Sequence, residues 1–200
     1  MSDEYQEQQI LALDSISLQA MGSMLLFGEI NEIASYRAIE FIIKSNMVLD
    51  PAIPLTLFVN SPGGNVSDGF SIIDVMKTSR LKIQTVSTGL VASMGLLIAA
   101  AGTKGKRIVT KNTEIMAHQF YAMAAGKRHE LMAQQVYHER LERQFLGFFK
   151  ENTAMTDKQI KDILFSPSDR WLTPKECVKY GIFDSISEYL VPAGDTKSGK

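Results

Sequence analysis

Short apolar segments alternate with helical segments throughout the first half of the chain. The patterns predict strands at 23–27, 55–59, 83–87 and 107–109, and helices at 35–48, at 66–78 and after Ser93. Neighbouring parallel strands must be joined by a crossover, usually a helix. This order therefore limits the chain to an α/β fold built from stacked βαβ units.

The length and composition of the chain fit one domain. Its 200 residues are 45% apolar, which is enough for one ordinary core, and no linker divides the sequence. We therefore expect a single domain over 1–200. The polar N-terminal segment 1–17 and the small, polar tail 192–200 are expected to be loose.

The second half of the chain is predicted to be mainly helical. Residues 127–152 lack proline and combine charged helix formers with apolar residues at helical spacing, which predicts one long helix. Thr156 with Gln159 resembles a capping box and marks a second helix start. Thr173 followed by Pro174 marks a third.

Charge and cysteine content narrow the choice of partners and compartment. The net charge of -1 gives no basic field, so neither nucleic acid nor a membrane surface is expected as a partner. The single cysteine, Cys177, excludes an intrachain disulfide, and the acidic opening of the chain lacks signal-peptide features, so we expect a cytoplasmic protein. The uncharged run 89–102 is too short to span a bilayer, and its Ala and Gly suit a buried helix.

Ser93, His118 and Asp169 follow one another in the order of a possible catalytic triad. Ser93 lies in Val91-Ala92-Ser93-Met94-Gly95, His118 ends an apolar strand-like segment, and Asp169 lies in a Ser/Pro-rich loop before Trp171. A serine hydroxyl is a weak nucleophile and needs an imidazole to take its proton and a carboxylate to orient that imidazole. The chain order and the missing Gly-x-Ser-x-Gly disfavour an α/β-hydrolase.

Each of these residues alone also has an ordinary structural interpretation. Ser93 could simply permit close packing in an Ala/Gly-rich helix. His118 could be a core histidine bonded to the backbone, and Asp169 a turn or cap residue. His129 and His138 fall in the charged long helix and are expected to be surface residues.

A glycine pair follows the second predicted strand in Asn60-Ser61-Pro62-Gly63-Gly64-Asn65. Glycines there allow positive φ and let backbone N–H groups approach a ligand, as an oxyanion hole requires. An ordinary strand-to-helix turn would have the same sequence.

Taken together, these motifs resemble the ClpP family in order and spacing, from about residue 23 to 186. The matching segments are Asn60-Ser61-Pro62-Gly63-Gly64, Ala92-Ser93-Met94-Gly95, 100–107, Met116-Ala117-His118-Gln119, 169–173 and 180–186. The resemblance implies a crotonase-like α/β fold in which the long helix 127–152 protrudes as a handle that docks two seven-subunit rings.

The resemblance also implies a role for each site residue. Ser93 corresponds to the nucleophile, His118 to the general base and acid, and Asp169 to the carboxylate that orients the imidazole. The backbone N–H groups of Gly64 and Met94 correspond to the oxyanion hole. A peptide substrate would lie as an added strand between two segments, Asn65-Val66 and Phe120-Tyr121-Ala122.

The partners implied by the resemblance are other copies of this chain, polypeptide substrates and a hexameric Clp-type ATPase. Whether a second ClpP-type subunit shares the ring stays open. No metal and no cofactor is expected, and the chain has no Gly-x-x-x-x-Gly-Lys-Ser/Thr loop, so ATP would act only through the partner ATPase.

Two of the chain's departures from the family pattern concern the substrate groove and ring assembly. Phe120-Tyr121-Ala122 stands where the family has proline and then glycines, which leaves substrate preference open. Pro167-Ser168 replaces an acidic-basic pair that serves ring assembly.

Three rival functions are weighed against a serine endopeptidase. They are a noncatalytic ClpP-like subunit of a mixed ring, a crotonase-type acyl-CoA enzyme, and a Ser-Lys peptidase with lysine in place of His118. Ser93, His118 and Asp169 at these positions argue against the acyl-CoA enzyme, and His118 itself argues against the Ser-Lys peptidase. The chain keeps all three residues, whose loss a noncatalytic subunit would tolerate, and that subunit stays the alternative.

Overall fold

The computed structural model of the protein describes residues 18–118 and 127–187. The strands are β1 (Ser23–Phe27), β2 (Leu55–Ser61), β3 (Ile83–Ala92), β4 (Arg107–Thr110), β5 (Glu114–Ala117), β6 (Arg170–Leu172) and β7 (Ser185–Ser187). The helices are α1 (Glu32–Val48), α2 (Val66–Thr78), α3 (Met94–Ala100), α4 (Arg128–Asn152), α5 (Asp157–Gln159), which continues as a π-helical turn (Ile160–Leu164), and α6 (Pro174–Lys179). The predicted N-terminal segment 1–17, the tail 192–200 and the groove residues Phe120, Tyr121 and Ala122 lie outside the described residues.

The strands form one seven-stranded sheet in the order β1-β2-β3-β4-β7, with β5 and β6 on a branch. All pairs are parallel except that of β5 with β6. The branch arises because β3 pairs with β4 through 85–87 and with β5 through 90–92. The predicted α/β fold with crossover helices is confirmed.

The sheet and helix α3 together form the centre of the hydrophobic core. Every second residue of β2 is buried, and all seven residues of α3 are buried. The β2–α3 contact leaves no room for a side chain at position 95, since a Cβ at Gly95 would lie 2.8 Å from the carbonyl oxygen of Ser61. Each fully buried large apolar side chain contributes about 1.5–3 kcal/mol to folding.

The apolar run 89–102 contains the end of a strand and a buried helix. Its first residues complete β3, and the helix predicted after Ser93 is confirmed and starts at Met94. The break is at Ser93, whose positive φ is incompatible with either a strand or a right-handed helix. Hydropathy alone does not reveal this break because both parts of the run are buried.

Several helices and strands are longer than predicted by a few residues at one end. Helix α1 begins at Glu32 rather than at residue 35 because the side chain of Asn31 accepts a hydrogen bond from the N–H of Ala34, at 3.0 Å. Strands β2, β3 and β4 each continue beyond their predicted ends, and β6 and β7 were not predicted at all. The capping box at Thr156 and the helix start at Thr173 are confirmed, and Thr173 also forms a capping box with Glu176.

Helix α4 matches the predicted long helix, with Lys127 as its N-cap. Its 25 residues span roughly 37 Å at the rise of an α-helix. Its C-terminal half is buried through residues such as Phe145 and Phe149, whereas its N-terminal half exposes the apolar side chains of Leu131, Met132, Val136 and Tyr137. None of the helices within the described ranges is long and apolar enough to cross a bilayer.

A partly buried ion pair joins β4 to the loop before β7. The guanidinium of Arg107, only 4% exposed, binds the carboxylate of Asp184 in a bidentate manner, with Nε 3.0 Å from Oδ2. Arg107 also donates to the backbone carbonyl of Asn152 at the end of α4. Burial alone would raise the pKa of Asp184, but the hydrogen bonds and charge of Arg107 outweigh it and hold that pKa below its ordinary value.

Candidate active site

Ser93 lies at a sharp turn between β3 and α3. Its φ is 50° and its ψ is -125°, and among the described residues other than glycine it alone has a positive φ. Such a conformation costs about 1–3 kcal/mol and persists only where surrounding contacts enforce it. Here the N–H of Ser93 donates to the carbonyl of Met116, at 3.1 Å, and its own carbonyl accepts from the N–H of Leu96, at 3.0 Å. The interpretation of Ser93 as a residue inside a packed helix is therefore wrong.

His118 lies beside Ser93 at the carboxyl edge of the sheet. Strands β3 and β5 run parallel, with Ala92 paired to Met116, so both strands end at the same edge of the sheet. Ser93 follows Ala92 directly, and His118 comes two residues after Met116. Both residues line one pocket, and His118 is half-buried.

Asp169 lies on the far side of His118 from Ser93. Strand β6 runs antiparallel to β5, and Arg170 pairs with Ala117. Asp169 precedes Arg170 and His118 follows Ala117, so the two residues lie at the same end of this strand pair. Asp169 is exposed, and within 18–118 and 127–187 no hydrogen bond joins the side chains of Ser93, His118 and Asp169. Catalytic hydrogen bonds often tighten only when substrate binds.

The glycine loop after β2 lies directly against Ser93. Gly63 has a φ of 97°, and a Cβ there would lie 2.6 Å from the Cβ of Ser93 and 3.0 Å from the backbone nitrogen of Met94. Only glycine permits this approach. The loop is held by Ile30, whose N–H donates to the carbonyl of Gly63 and whose carbonyl accepts from Asn65.

The two N–H groups predicted for the oxyanion hole belong to Gly64 and Met94. In the described part of the chain, the backbone N–H groups of Gly64 and Met94 donate no hydrogen bond. Both residues line the pocket that contains Ser93. Paired free donors beside a serine can stabilise an oxyanion.

The pocket beside Ser93 has a volume of about 160 Å³ and is mainly apolar. Apart from the site residues above, its walls are Val66, Leu96, Leu97, Ala117, Phe145, Phe149, Leu164 and Phe165. The ring of Phe165 packs edge-on against Phe145 and Phe149, with centroids 6.4 and 6.2 Å apart. The pocket thus has a largely aromatic, apolar wall beside Ser93.

Two of the predicted substrate residues, Asn65 and Val66, lie within the described residues, and their role in binding stays a prediction. Val66 lines the pocket, whereas Asn65 uses its side chain to cap α2 by accepting from the N–H of Asp68, at 3.0 Å. Among residues 18–118 and 127–187, no three His, Cys, Asp or Glu side chains cluster as metal ligands would.

Comparison with known proteins identifies the family. A model of the Clp protease family matches residues 10–189, most of the chain. The chain belongs to the Clp protease family.

Individual Clp protease proteins are similar over much of their length. The ATP-dependent Clp protease proteolytic subunit 2 of Rhodococcus jostii is 36% identical over 149 residues, 74% of each chain. Subunit 2 of Corynebacterium diphtheriae is 38% identical over 140 residues, 70% of this chain and 69% of the relative. Subunit 3 of Rhodococcus jostii is 36% identical over 168 residues, 82% of this chain and 80% of the relative.

The sequence did not indicate the aromatic wall of the pocket in this Clp protease family member. Phe145 and Phe149 are one helical turn apart on α4, which signals a shared face but not what that face contacts. Phe165 follows the π-helical turn and had no periodic pattern to mark it. Ile30, which anchors the glycine loop, was also missed because its function lies in backbone hydrogen bonds.

Proposed function

We propose that this Clp protease family member is a serine endopeptidase, the proteolytic subunit of a Clp-type protease. One observation supports this most directly: Ser93 is held in a strained turn beside His118 and beside the free N–H groups of Gly64 and Met94. Ser93 alone, of the residues other than glycine in 18–118 and 127–187, has this strained conformation, and its pocket holds a base and two backbone donors, which fits an activated nucleophile.

The reaction proceeds by acyl transfer. His118 takes the proton of Ser93 as the hydroxyl oxygen attacks the peptide carbonyl, and the resulting oxyanion accepts hydrogen bonds from the N–H groups of Gly64 and Met94. Each such donor contributes about 3–4 kcal/mol to transition-state stabilisation. His118 then protonates the leaving amine, and water, activated by the same imidazole, releases the acyl group. Asp169 orients His118 in the reacting state.

The apolar pocket selects the side chain on the acyl side of the cleaved bond. Its volume is close to the ~150 Å³ of an apolar cavity that accommodates benzene. Leucine, methionine and phenylalanine side chains suit a pocket of this size and lining, whereas a charged side chain would be desolvated without a partner.

Assembly and partners follow from the same proposal. The exposed apolar residues Leu131, Met132, Val136 and Tyr137 make the N-terminal half of α4 the handle that docks two seven-subunit rings. The ring takes unfolded polypeptide from a hexameric Clp-type ATPase in the cytoplasm and itself binds no nucleotide, metal or cofactor. Rhodococcus jostii has both a subunit 2 and a subunit 3 among the relatives, which supports a second ClpP-type subunit as a further partner.

A noncatalytic structural subunit is the second candidate. The exposure of Asp169 and the missing hydrogen bond between Asp169 and His118 favour it. The two candidates differ in the reactivity of Ser93.

Fluorophosphonate labelling of the native oligomer distinguishes them. Wild-type protein, Ser93→Ala, His118→Ala and the control Ser67→Ala, which removes an exposed hydroxyl on α2, are treated and analysed by intact mass and peptide mapping. We expect labelling at Ser93 in the wild type and the control alone, together with peptide hydrolysis. An assembled wild-type ring that is neither labelled nor active would favour the structural subunit, and full activity of His118→Ala would refute the assigned base.

A further inference from the structure

Strand β3 changes its pairing partner from β4 to β5 shortly before Ser93. Residues 85–87 pair with β4, and residues 90–92 pair with β5. The change occurs at Gly89, whose φ is 63°. Strand β4 ends at Thr110, so the residues of β3 that lead to Ser93 have β5, the strand just before His118, as their partner on this side.

On its other side, β3 faces β2 through an irregular register. Val59 pairs with Ser87, but the next aligned pair is Ser61 with Val91. Residues 88–90 therefore face the single residue Asn60. An insertion of this kind leaves backbone groups without their ladder partners.

The side chain of Asn60 supplies one of the missing partners. Its Oδ1 accepts a hydrogen bond from the N–H of Leu90, at 3.1 Å. Its backbone carbonyl accepts from the N–H of Gly28, at 2.9 Å, next to β1. Asn60 thus connects β1, β2 and the displaced part of β3.

The amide of Asn60 also packs on the bare backbone of Gly89. A Cβ at Gly89 would lie 2.8 Å from Nδ2 and 2.9 Å from Oδ1 of Asn60. The glycine therefore serves both the positive φ and the space that the Asn60 amide occupies. The side chain at position 60 must therefore both fit against Gly89 and accept the hydrogen bond from Leu90.

We infer that Asn60 is a positioning residue for Ser93: its side chain holds the β3 irregularity that directs 90–92 onto β5 and so sets Ser93 beside His118. This inference rests on the proposed serine endopeptidase function. Asn60 does not line the pocket, so it acts through β3 rather than on the substrate.

Its effect should appear in kcat rather than in KM. A displacement of about 1 Å at a nucleophile costs on the order of 100-fold in rate. We expect Asn60→Leu to lower kcat by about 100-fold. KM should stay within a factor of about 3, because the apolar wall of the pocket comes from other elements. Asn60→Asp keeps an acceptor oxygen of the same reach and should retain most of the activity.

The experiment compares wild type, Asn60→Leu, Asn60→Ser and Asn60→Asp as native oligomers. Asn60→Ser is too short to reach the N–H of Leu90 and adds no bulk, so it replaces Asn60→Leu if that variant does not fold. The readouts are kcat and KM for a fluorogenic peptide, the fluorophosphonate labelling rate of Ser93, native mass, and hydrogen exchange of the Leu90 amide. The expected result is slow labelling, low kcat and faster Leu90 exchange in Asn60→Leu and Asn60→Ser, with rescue in Asn60→Asp.

Two results would overturn the inference. One is wild-type kcat in an assembled Asn60→Leu or Asn60→Ser oligomer, and the other is Leu90 exchange that does not change in either variant. Failure of the proposed function itself is separate, because it appears as absent labelling of wild-type Ser93. The exchange measurement still tests the Asn60 contact in that case.

Discussion

Gly63 approaches Ser93 so closely that a Cβ on Gly63 would lie 2.6 Å from the Cβ of Ser93. The two residues come from different strand-to-helix connections, after β2 and after β3. Their contact places the free N–H of Gly64 and that of Met94 on the same pocket. The proposed oxyanion hole therefore depends on the absence of a side chain at Gly63.

Substitution of Gly63 should abolish most of the activity. Gly63→Ala adds a Cβ that must displace Ser93 or the loop, so we expect kcat to fall by about 100-fold or more while the native oligomer mass stays unchanged. The measurement is steady-state hydrolysis of a fluorogenic peptide. Gly105→Ala is the control because Gly105 also has a positive φ, 84°, but nothing lies within 4 Å of its would-be Cβ. An equal loss in both variants would contradict the close-approach argument.

The aromatic pocket should select the residue before the cleaved bond. We expect kcat/KM to be about 10- to 100-fold higher for peptides with Leu or Met there than for Asp or Lys, as the burial of one apolar side chain allows. Phe165→Ala removes one wall of the pocket. It should raise kcat/KM for peptides with Trp before the cleaved bond relative to peptides with Leu there. A peptide series assayed on both proteins tests this. An unchanged ranking in Phe165→Ala would show that the pocket does not bind this side chain.

The exposed apolar half of α4 should control ring stacking. Val136 is 64% exposed, and Val136→Glu would put a charge into the proposed contact between the two rings. We expect native mass spectrometry to show half the wild-type mass. Gln135→Glu adds the same charge at a neighbouring, already polar position and should leave the mass unchanged. Intact double rings of Val136→Glu would argue against this surface as the docking contact.

The Arg107–Asp184 pair should make stability depend on pH. Asp184→Asn leaves the charge of Arg107 buried without its partner, which costs about 3 kcal/mol near neutral pH. Because the folded-state pKa of Asp184 is lowered, its contribution is complete above the ordinary aspartate pKa of about 4 and is lost as pH falls through the lowered value. Urea unfolding of both proteins should therefore show a difference that shrinks in acid. A difference that stays constant with pH would exclude this linkage.

Much of the fold could be predicted because its signals are local. The strand and helix segments up to Arg107, the long helix α4 and the caps at Thr156 and Thr173 follow from periodicity and from side chains within a few residues. Strands β6 and β7 have three residues each, too few for a period of two to show. They form only because β5 and β4 offer free edges.

The candidate site was predictable in its chemistry but not in its geometry. Ser93, His118, Asp169 and the glycine loop were predicted from residue types, order and family resemblance. The strain at Ser93, the aromatic pocket and the exposure of Asp169 were not, because each depends on contacts between distant segments.

The sequence by itself determined the α/β alternation, the family and the set of reactive side chains, since these depend on local patterns and residue identity. Only the tertiary structure decided where those side chains meet. The change of partner of β3 at Gly89, the contact of Gly63 with Ser93 and the packing of Phe165 on α4 are long-range contacts. Their free energy exists only when separate segments are folded together, so no local pattern encodes them.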